Sequence, residues 1–433
     1  MNDRTTKRSP VVDCVDGFRS LDPVAKKYFQ LMALVSEYSL LVPYYASSLR
    51  VFVEIRVERE FMSNLVRVGV VGAGAVASSV HLPILTRRSD LYSLTALADY
   101  NIEATHALSD RFNIRHRFDS PQAMYASGEI DAVVILNSGS HCQVVVDALN
   151  AGLDVFCEKP LAYSREEMSK IESALKKSGR RLMIGYMKTF DQAVYEAAKN
   201  ITGRPRTVDV VVLHPSGESQ LATTELHVKS FPASKDLIER FKASDRQVRE
   251  EALGSAAASA IGAEYMDIIL GSVIHELSVL RSLDIHITDI DFVDRWPTDS
   301  KAESFIIHAR TSDGVRVTIR WFYLDSYPMY QEEIRWVNEN EGHHIIFSSP
   351  YILRVPTKYI HTTRHGLDHK ETIFESYQPN FEIELVAFHH LVKTGTQQTD
   401  PIKAGNEDLE ICLKIAKAIC ERENIALGGN LLK

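Results

Sequence analysis

From residue 65 to about residue 187 the chain repeats one pattern, an apolar run followed by a turn and a segment with helical periodicity. The apolar runs are VRVGVV (66–71), SLTALAD (93–99), DAVVIL (131–136), LDVFC (153–157) and RLMIG (181–185). Continuous runs rich in β-branched residues are typical of strands buried on both faces, and helix-length connections favour right-handed βαβ units. The pattern therefore predicts an α/β domain with a doubly wound parallel sheet.

Beyond Met187 the apolar residues alternate with polar ones, which is typical of half-buried strands. Alternation occurs in TVDVVVLHP (207–215), SFIIHARTSDGVRVTIRWFYL (304–324) and EEIRWVNENEGHHIIFSS (332–349). Turn signals at Asp313-Gly314 and Glu341-Gly342 predict hairpins there. Residues 232–283 and 405–424 have helical patterns. We therefore expect an α+β domain with a large, mainly antiparallel open sheet, and a final helix that can return to the first domain.

These patterns divide the chain into a domain at 62–187, a domain at 188–433, and residues 1–61, which carry no motif with an evident chemistry. Two explanations of residues 1–61 stay open. They form an extra segment that packs on the body, or the natural start is Met62, which the strand and glycine-rich turn follow closely.

Composition narrows the classes of function. Apolar residues make up 45% of the 433 residues, charged residues 24%, and the net charge is −8, which argues against a nucleic-acid surface. The five cysteines form no CxxC pair, so the sequence predicts a reduced, cytoplasmic protein. The apolar stretch 31–53 is interrupted by Glu37, Pro43 and Arg50, and no signal peptide is evident, so we predict no membrane span.

The first strand runs directly into a glycine-rich turn, GAGAVA at 72–77. This GxGxxA pattern between a strand and a helix is the dinucleotide-binding fingerprint of a Rossmann fold, in which backbone N–H groups hold a pyrophosphate. Asp99 ends the next strand, where a carboxylate binds the adenosine ribose and disfavours a 2′-phosphate. We therefore predict NAD as the cofactor, with NADP left open by the nearby Tyr100 and Arg111.

Further motifs make the chain resemble the Gfo/Idh/MocA oxidoreductases. The likeness extends from Leu65 to the C-terminal helix. It is carried by GAGAVA with the trailing His81-Leu82-Pro83, the ALAD that ends at Asp99, the Glu158-Lys159-Pro160 triplet, and GYMKTFD from Gly185. The triplet is the most specific of these, and it follows a predicted strand at the edge where doubly wound sheets bind ligands.

The resemblance implies roles for particular residues. Lys159 would hydrogen-bond the reacting hydroxyl, and the Lys159–Pro160 bond that follows it is often cis. His141 would lie near the cofactor unless it only packs or caps a helix. Tyr186 and Lys188 would line the substrate pocket unless Tyr186 is a packing residue. Cofactor contacts are expected from Gly72, Ala73, Gly74, Ala75, Val76, Asp99, Asn137, Ser138, His141, Glu158 and Lys159, and substrate contacts from Lys159, Tyr186, Lys188 and His275.

His275 is the candidate catalytic base, because a neutral histidine can take the hydroxyl proton while hydride leaves carbon. Many relatives carry an Asp four residues before this histidine, but here that position is Gly271. Asp267 cannot replace it on a regular helix, since eight residues rise about 12 Å. We expect Glu276 to face elsewhere or the cofactor side.

The remaining histidines raise the question of a metal site. HTTRHGLDH spaces His361, His365 and His369 by four residues, but Gly366 and the sheet-like flanks argue against the helix that such spacing requires. The sequence analysis therefore predicts no metal.

Together these features predict an NAD(P)-dependent oxidoreductase that interconverts a hydroxyl and a ketone on a sugar, polyol or similar small polar substrate. The resemblance also implies a homodimer or homotetramer formed through the open sheet. Two alternatives stay open: a redox-neutral, NAD-dependent glycosidase, and a non-catalytic, cofactor-binding regulatory protein.

Overall fold

The computed structural model describes residues 65–217, 219–220, 231–232, 234–297, 303–350, 352 and 355–432. The two explanations of residues 1–61 lie outside the described residues.

The first sheet has six parallel strands in the order β3-β2-β1-β4-β5-β6. Its strands are β1 Val66–Val71, β2 Tyr92–Ala98, β3 His116–Phe118, β4 Ala132–Ile135, β5 Asp154–Glu158 and β6 Leu182–Gly185. The predicted doubly wound sheet is confirmed. Strand β3 was not predicted, because three residues at a sheet edge are too short to show a pattern.

Helices connect these strands, and their caps are readable in the sequence. They are α1 Leu82–Arg87, α2 Ile102–Phe112, α3 Pro121–Tyr125, α4 Cys142–Asn150 and α5 Arg165–Ser178. A π-helical turn at Ala77–His81 leads into α1. In α5 the Ser164 hydroxyl accepts from the Glu167 N–H, and Gly179 ends the helix in the left-handed region.

The second sheet has eight strands in the order β14-β13-β12-β11-β7-β10-β9-β8. Its strands are β7 Thr207–His214, β8 Ile287–Pro297, β9 Glu303–Thr311, β10 Arg316–Tyr323, β11 Gln331–Val337, β12 Glu341–Phe347, β13 Thr357–His365 and β14 Asp368–Ser376. All neighbours pair antiparallel except β7 and β10, which are parallel. The predicted mainly antiparallel sheet is confirmed.

Of the two predicted hairpin turns, the one at Asp313-Gly314 joins β9 to β10, but the one at Glu341-Gly342 is wrong. The chain reverses at residues 338–340, and Glu341 already belongs to β12. The cause is Asn338, whose side-chain oxygen accepts from the N–H groups of Asn340 and Glu341 and so closes the turn earlier.

Helices cover one face of this sheet. They are α6 Gln192–Asn200, α7 Lys235–Leu253, α8 Ser255–Glu264 and α9 Ile274–Ser282, with a π-helical segment at Tyr265–Val273 joining α8 to α9. The run Ser255–Ser282 is long and apolar enough to cross a membrane, but half of its most apolar window is buried inside the protein. Its side chains pack in the main core, which accounts for its composition.

Two more helices follow the second sheet and return to the first. Helix α10 is Asn380–Thr394, and α11 is Pro401–Arg422 rather than 405–424, because Asp400 caps it at the preceding residue. On α10, Leu385 and Phe388 pack on the first sheet, and the Tyr92 hydroxyl donates to the Leu385 carbonyl. The second sequence segment thus completes the core of the first sheet.

Candidate active site

The glycine-rich turn lies at the carboxyl end of β1 and has the backbone that the fingerprint requires. Gly72 has φ +100°, and a Cβ there would lie 2.8 Å from the Asn137 nitrogen, so only glycine fits without strain. At Gly74 a Cβ would meet no described atom within 4 Å. The turn therefore leaves open space beside Gly74, where a pyrophosphate can approach the backbone.

Asp99 connects this turn to the end of β2. One of its carboxylate oxygens accepts from the Ala73 N–H at 2.8 Å, and the other accepts from the Asn101 N–H at 2.7 Å. Each oxygen keeps a lone pair for a further donor. The carboxylate is thus held at the strand end, in the place where a ribose hydroxyl would donate to it.

A cleft of about 660 Å³ opens above these groups. Asn137 and Ser138 line it, and the buried Oδ1 of Asn137 has no hydrogen-bond partner in the described part of the chain. Gly72, Ala73, Gly74, Ala75 and Asp99 also line it, whereas the other predicted cofactor contacts do not: Val76, His141, Glu158 and Lys159. The open backbone and the unpaired carbonyl oxygen fit a bound dinucleotide.

Helix α7 closes the far side of the cleft, and sequence reasoning missed this contribution. The Arg240 guanidinium lies 4.9 Å from the centre of the Tyr100 ring, and Phe241 meets the same ring edge to face. Arg111, which had left NADP open, lies instead over Phe112. No local signal could identify Arg240, because it lies 140 residues beyond Tyr100 in the chain.

His141 is buried behind the cleft wall. One ring nitrogen lies 2.7 Å from the Pro160 carbonyl oxygen and the other 2.8 Å from the Asn137 carbonyl oxygen. The ring thus joins the loop after β4 to the loop after β5, across a Lys159–Pro160 bond that is cis. This geometry favours the packing role that the sequence had left open.

Lys159 follows β5, which lies beside β4 in the sheet, so it comes next to the inner end of the cleft. Its ammonium donates to the carbonyl of Gly271, the position at which the resemblance led us to expect an Asp. Burial lowers the pKa of Lys159 to about 8, although Glu158 opposes the shift. The lysine is therefore an acid that can release its proton near neutral pH.

His275 begins the regular helix after the π-helical segment and is buried. Burial lowers its pKa well below the usual range, and the positive charges of Lys159 and Lys188 lower it further. Its Nδ1 has no partner among the described residues. The imidazole is therefore neutral at physiological pH and free to accept a proton.

Lys188 lies behind this pair in a buried ionic cluster. Its ammonium donates to Glu276 at 3.2 Å and to Glu332 at 2.5 Å. Burial raises the pKa of Glu276 to about 8, which keeps this carboxyl protonated at neutral pH, although Lys188 opposes the shift. Lys188 is thus hydrogen-bonded to carboxyl groups of the protein, and its positive charge lowers the pKa of His275.

The π-helical segment explains the departure at Gly271. A Cβ at this position would lie 3.1 Å from the Met266 carbonyl oxygen, tighter than ordinary contacts, so a side chain fits poorly here. π-helical turns occur often at functional sites. Here the segment presents a backbone carbonyl to Lys159 in place of a carboxylate.

Aromatic side chains form a wall at this end of the second sheet. The His214 ring lies 5.3 Å from Trp321 and 5.7 Å from Tyr330, and Trp321 donates to the Ser272 hydroxyl at 2.9 Å. Tyr323 stacks on both His214 and Trp321. The wall is thus hydrogen-bonded to the π-helical segment that carries Gly271.

Glu158 is the partner of a buried histidine. His81 Nε2 lies 2.9 Å from the Glu158 carboxylate, and Glu158 also accepts from the Lys159 N–H at 3.3 Å. Burial raises the pKa of Glu384 on α10 well above its usual range, and the charge of Glu158 adds to the rise. Glu158 therefore positions the loop that carries Lys159.

Tyr186, a predicted substrate contact, lies outside the coenzyme-type cleft. Its buried ring lies under the Arg281 guanidinium, 5.3 Å away, and lines a separate cavity between β6, α9, α10 and α11. Lys188 comes two residues later and faces the ionic cluster. Packing at a domain junction, the alternative for Tyr186, is what the structure shows.

Residues 66–186 match the family model described as an oxidoreductase family with an NAD-binding Rossmann fold. Over these residues the chain is similar to the Gfo/Idh/MocA oxidoreductases, as the sequence analysis predicted. Inositol 2-dehydrogenase of Acidiphilium cryptum is 33% identical over 163 residues, 36% of this chain and 48% of that protein. D-glucoside 3-dehydrogenase of Escherichia coli is 30% identical over 141 residues, 32% of this chain and 40% of that protein. The matches thus span about half of these relatives or less.

Solved structures extend the likeness to both sheets. Apo scyllo-inositol dehydrogenase from Lactobacillus casei covers 84% of this chain and 98% of its own, with 16% identity and a TM-score of 0.60. UDP-N-acetylglucosamine 3-dehydrogenase from Acidithiobacillus ferrooxidans covers 82% of this chain and 97% of its own, with 17% identity and a TM-score of 0.61. At these identities the likeness is one of fold, and it confirms the predicted Gfo/Idh/MocA architecture.

Proposed function

We propose that this protein is an NAD(P)-dependent oxidoreductase that interconverts a hydroxyl and a ketone on a sugar, a polyol or a similar small polar substrate. One observation carries the proposal: Lys159, with a lowered pKa, and the neutral His275 are buried within electrostatic reach of each other. Lys159 follows β5, the neighbour of β4, whose carboxyl end opens into the dinucleotide-type cleft. Groups with strongly displaced pKa values beside specific charge partners are typical of acid–base sites.

The coenzyme, when bound, supplies the hydride acceptor for alcohol oxidation and the hydride donor for the reverse reaction. Gly72, Gly74 and Asp99 would hold its phosphates and adenosine ribose. His275 takes the proton from the hydroxyl as the C–H bond gives up its electron pair, so the carbonyl forms with charge balanced. Lys159 donates a hydrogen bond to the same oxygen. In doing so its ammonium gives up its hydrogen bond to the Gly271 carbonyl.

The substrate class is inferred from the wall and from the relatives. His214 and Tyr323 are half-buried beside the buried Trp321, and their ring faces are surfaces on which the C–H face of a sugar or cyclitol can stack. The curated relatives are named as dehydrogenases of inositol and of a glucoside. Both facts support a ring-shaped polyhydroxy substrate.

We further propose NAD as the preferred coenzyme, because the Asp99 carboxylate at the ribose position repels a 2′-phosphate. The positive charge of Arg240 nearby keeps NADP possible. A cytoplasmic location is supported by four buried free cysteines, Cys142, Cys157, Cys412 and Cys420.

Self-association through the second sheet is part of the proposal. Residues that point away from its covered face include Val211, Ile306 and Ile346, and these apolar side chains stay half-exposed. A half-exposed apolar sheet face is suited to a subunit contact. We expect a dimer or tetramer in sedimentation analysis, and Val211→Asp should shift the protein toward the monomer.

The function is tested with the purified full chain, NAD or NADP, and a panel of inositols, hexoses and methyl glucosides. Formation of reduced coenzyme with at least one of these substrates is the expected result. If both coenzymes bind in calorimetry while no panel member is oxidised and no matching ketone is reduced, the oxidoreductase proposal fails.

That negative outcome would favour the second candidate, a coenzyme-binding regulatory protein. The observation that motivates it is Gly271, because the Lys159 ammonium is already satisfied by a backbone carbonyl where the resemblance implied an Asp. Coenzyme binding without turnover, combined with a specific protein partner, is the result expected of such a regulator.

A further inference from the structure

A cluster of two histidines and a glutamate lies on the second sheet, away from the site described above. His343 on β12 and His361 on β13 are directly opposite in the antiparallel register, and Glu341 precedes His343 by two residues on the same face. The two imidazole rings stack at 4.6 Å with 13° between their planes. Sequence spacing could not reveal this arrangement, because a strand pairing, not a helix, brings the residues together.

This cluster is remote from Lys159 and His275. The Val337 end of β11 adjoins it, whereas Glu332 at the other end of β11 belongs to the ionic cluster around Lys188. Five residues of strand separate the two ends by about 17 Å. The cluster is therefore independent of the proposed oxidoreductase site.

The nitrogens and carboxylate oxygens of the cluster converge. His361 Nε2 lies 3.1 Å from one Glu341 oxygen, His343 Nε2 lies 3.5 Å from the other, and one ligand atom from each residue lies within 4.8 Å of the others. His343 is 3% exposed, and its Nε2 has no hydrogen-bond partner among the described residues. A buried nitrogen therefore faces a carboxylate at the limit of hydrogen-bond distance.

Outer contacts hold these groups in the orientation that a metal requires. His343 Nδ1 lies 2.8 Å from the Tyr359 hydroxyl, which leaves Nε2 as the inward atom. Glu341 Oε1 accepts from Thr202 and from the Asn338 amide, so Oε2, which lies 3.1 Å from His361 Nε2, is the oxygen turned toward the imidazoles as a ligand. Metal-ligating histidines and carboxylates are typically supported in this way.

We propose that Glu341, His343 and His361 form a binding site for a zinc-type divalent cation, which fastens β12 to β13 near the end of α6. Two imidazoles and one carboxylate suit Zn²⁺ better than the oxygen-seeking Mg²⁺ or Ca²⁺. Thr202 and Asn338 also line an open cavity of about 390 Å³, which offers an entry path and room for water as a fourth ligand. Coordination requires a ring to rotate out of the present stack, whose planes are 13° apart, so that both Nε2 lone pairs meet at one point.

The test uses the full chain, stripped of metal with a chelator and then dialysed against micromolar ZnCl₂, with bound zinc measured per chain. His361→Asn is the main variant, because this residue is partly exposed and its replacement disturbs packing least. His344→Asn is the matched control, since His344 is the next residue on β12 and points to the other face, where it pairs with Glu333. Circular dichroism checks that all three proteins fold alike.

We expect wild type and His344→Asn to bind one zinc more per chain than His361→Asn, and Glu341→Gln to weaken zinc binding by more than tenfold. When cobalt(II) replaces zinc, wild type should show the visible absorption of a four-coordinate site. His361→Asn should not show it. Equal zinc uptake by wild type and His361→Asn, or no uptake by wild type, overturns the proposal.

Discussion

The two ends of the coenzyme-type cleft follow different rules. At the outer end, Gly72, Gly74 and Asp99 keep the arrangement that the fingerprint requires, and their contacts are made with backbone atoms. At the inner end, Lys159 donates to the backbone carbonyl of Gly271, where the resemblance implied a carboxylate. Coenzyme binding needs a backbone shape that a short motif encodes, whereas the chemistry needs side chains from several elements, which can change one at a time.

The largest effect should come from Lys159→Ala at the inner end. We expect kcat/KM to fall about 10³-fold, because a general acid or donor at the reacting oxygen contributes about 10²–10⁴-fold. Calorimetry should find coenzyme affinity within about threefold of wild type, a ratio of under 1 kcal/mol. The exposed Lys170→Ala on α5 is the control. Unchanged turnover in Lys159→Ala would contradict the proposal that the inner end of the cleft carries the chemistry.

Lys188→Met tests the ionic cluster that supports the inner end. Removing the ammonium leaves Glu276 and Glu332 buried without their partner, so the free energy of unfolding should fall by about 3–5 kcal/mol in urea titrations. Lys199→Met removes an exposed lysine instead and should cost about 0–1 kcal/mol. A loss for Lys188→Met as small as that of Lys199→Met would mean that the cluster does not stabilise the site.

Gly74→Val tests the outer end, because its side chain would fill the open space beside the turn. We expect coenzyme affinity to fall about 10–100-fold, which is about 1.4–2.8 kcal/mol, with little change in melting temperature. Gly217→Val is the matched control, since a Cβ there also meets nothing described within 4 Å. If Gly74→Val bound coenzyme as well as the control did, the pyrophosphate would lie elsewhere.

The pH dependence of kcat/KM for alcohol oxidation should reflect the inner end. His275 must be neutral to accept the proton. Because its pKa is lowered, the loss of activity on the acid side of the pH profile should begin below the usual histidine range. Lys159 must be charged, so activity should fall as pH rises through about 8. Beyond each limb we expect about tenfold loss per pH unit. Because Glu276 also has a pKa of about 8, Glu276→Gln is needed: the alkaline limb should persist in this variant.

The smallest effect concerns Arg240 on α7, which extends the outer end beyond the fingerprint. Loss of its contact with Tyr100 in Arg240→Ala should weaken NAD binding about two- to fivefold, in line with about 0.5–1 kcal/mol for an exposed cation–π contact. Arg246→Ala on the same helix is the control. If Arg240→Ala lost more affinity for NADP than for NAD, Arg240 would also bind the 2′-phosphate.

The site was predicted unequally from the sequence. The glycine turn, Asp99 and Lys159 could be proposed as site residues because they lie next to strand ends, which hydrophobic runs locate. The position of Tyr186 could not be predicted. Its side chain faces Arg281, whereas Lys188, two residues later, faces Glu276. Backbone direction after a strand end is set by tertiary contacts that a local pattern does not contain.

The sequence by itself determined the doubly wound first sheet, the mainly antiparallel second sheet, the likeness to the Gfo/Idh/MocA oxidoreductases, and the turn that can hold a dinucleotide. These depend on local periodicity and on glycine positions, which act over a few residues. Only the tertiary structure decided that α7 closes the cleft, that a backbone carbonyl at Gly271 faces Lys159, and that His343 meets His361. Such contacts join residues far apart in the chain, and strand register and helix packing, not spacing along the sequence, bring them together.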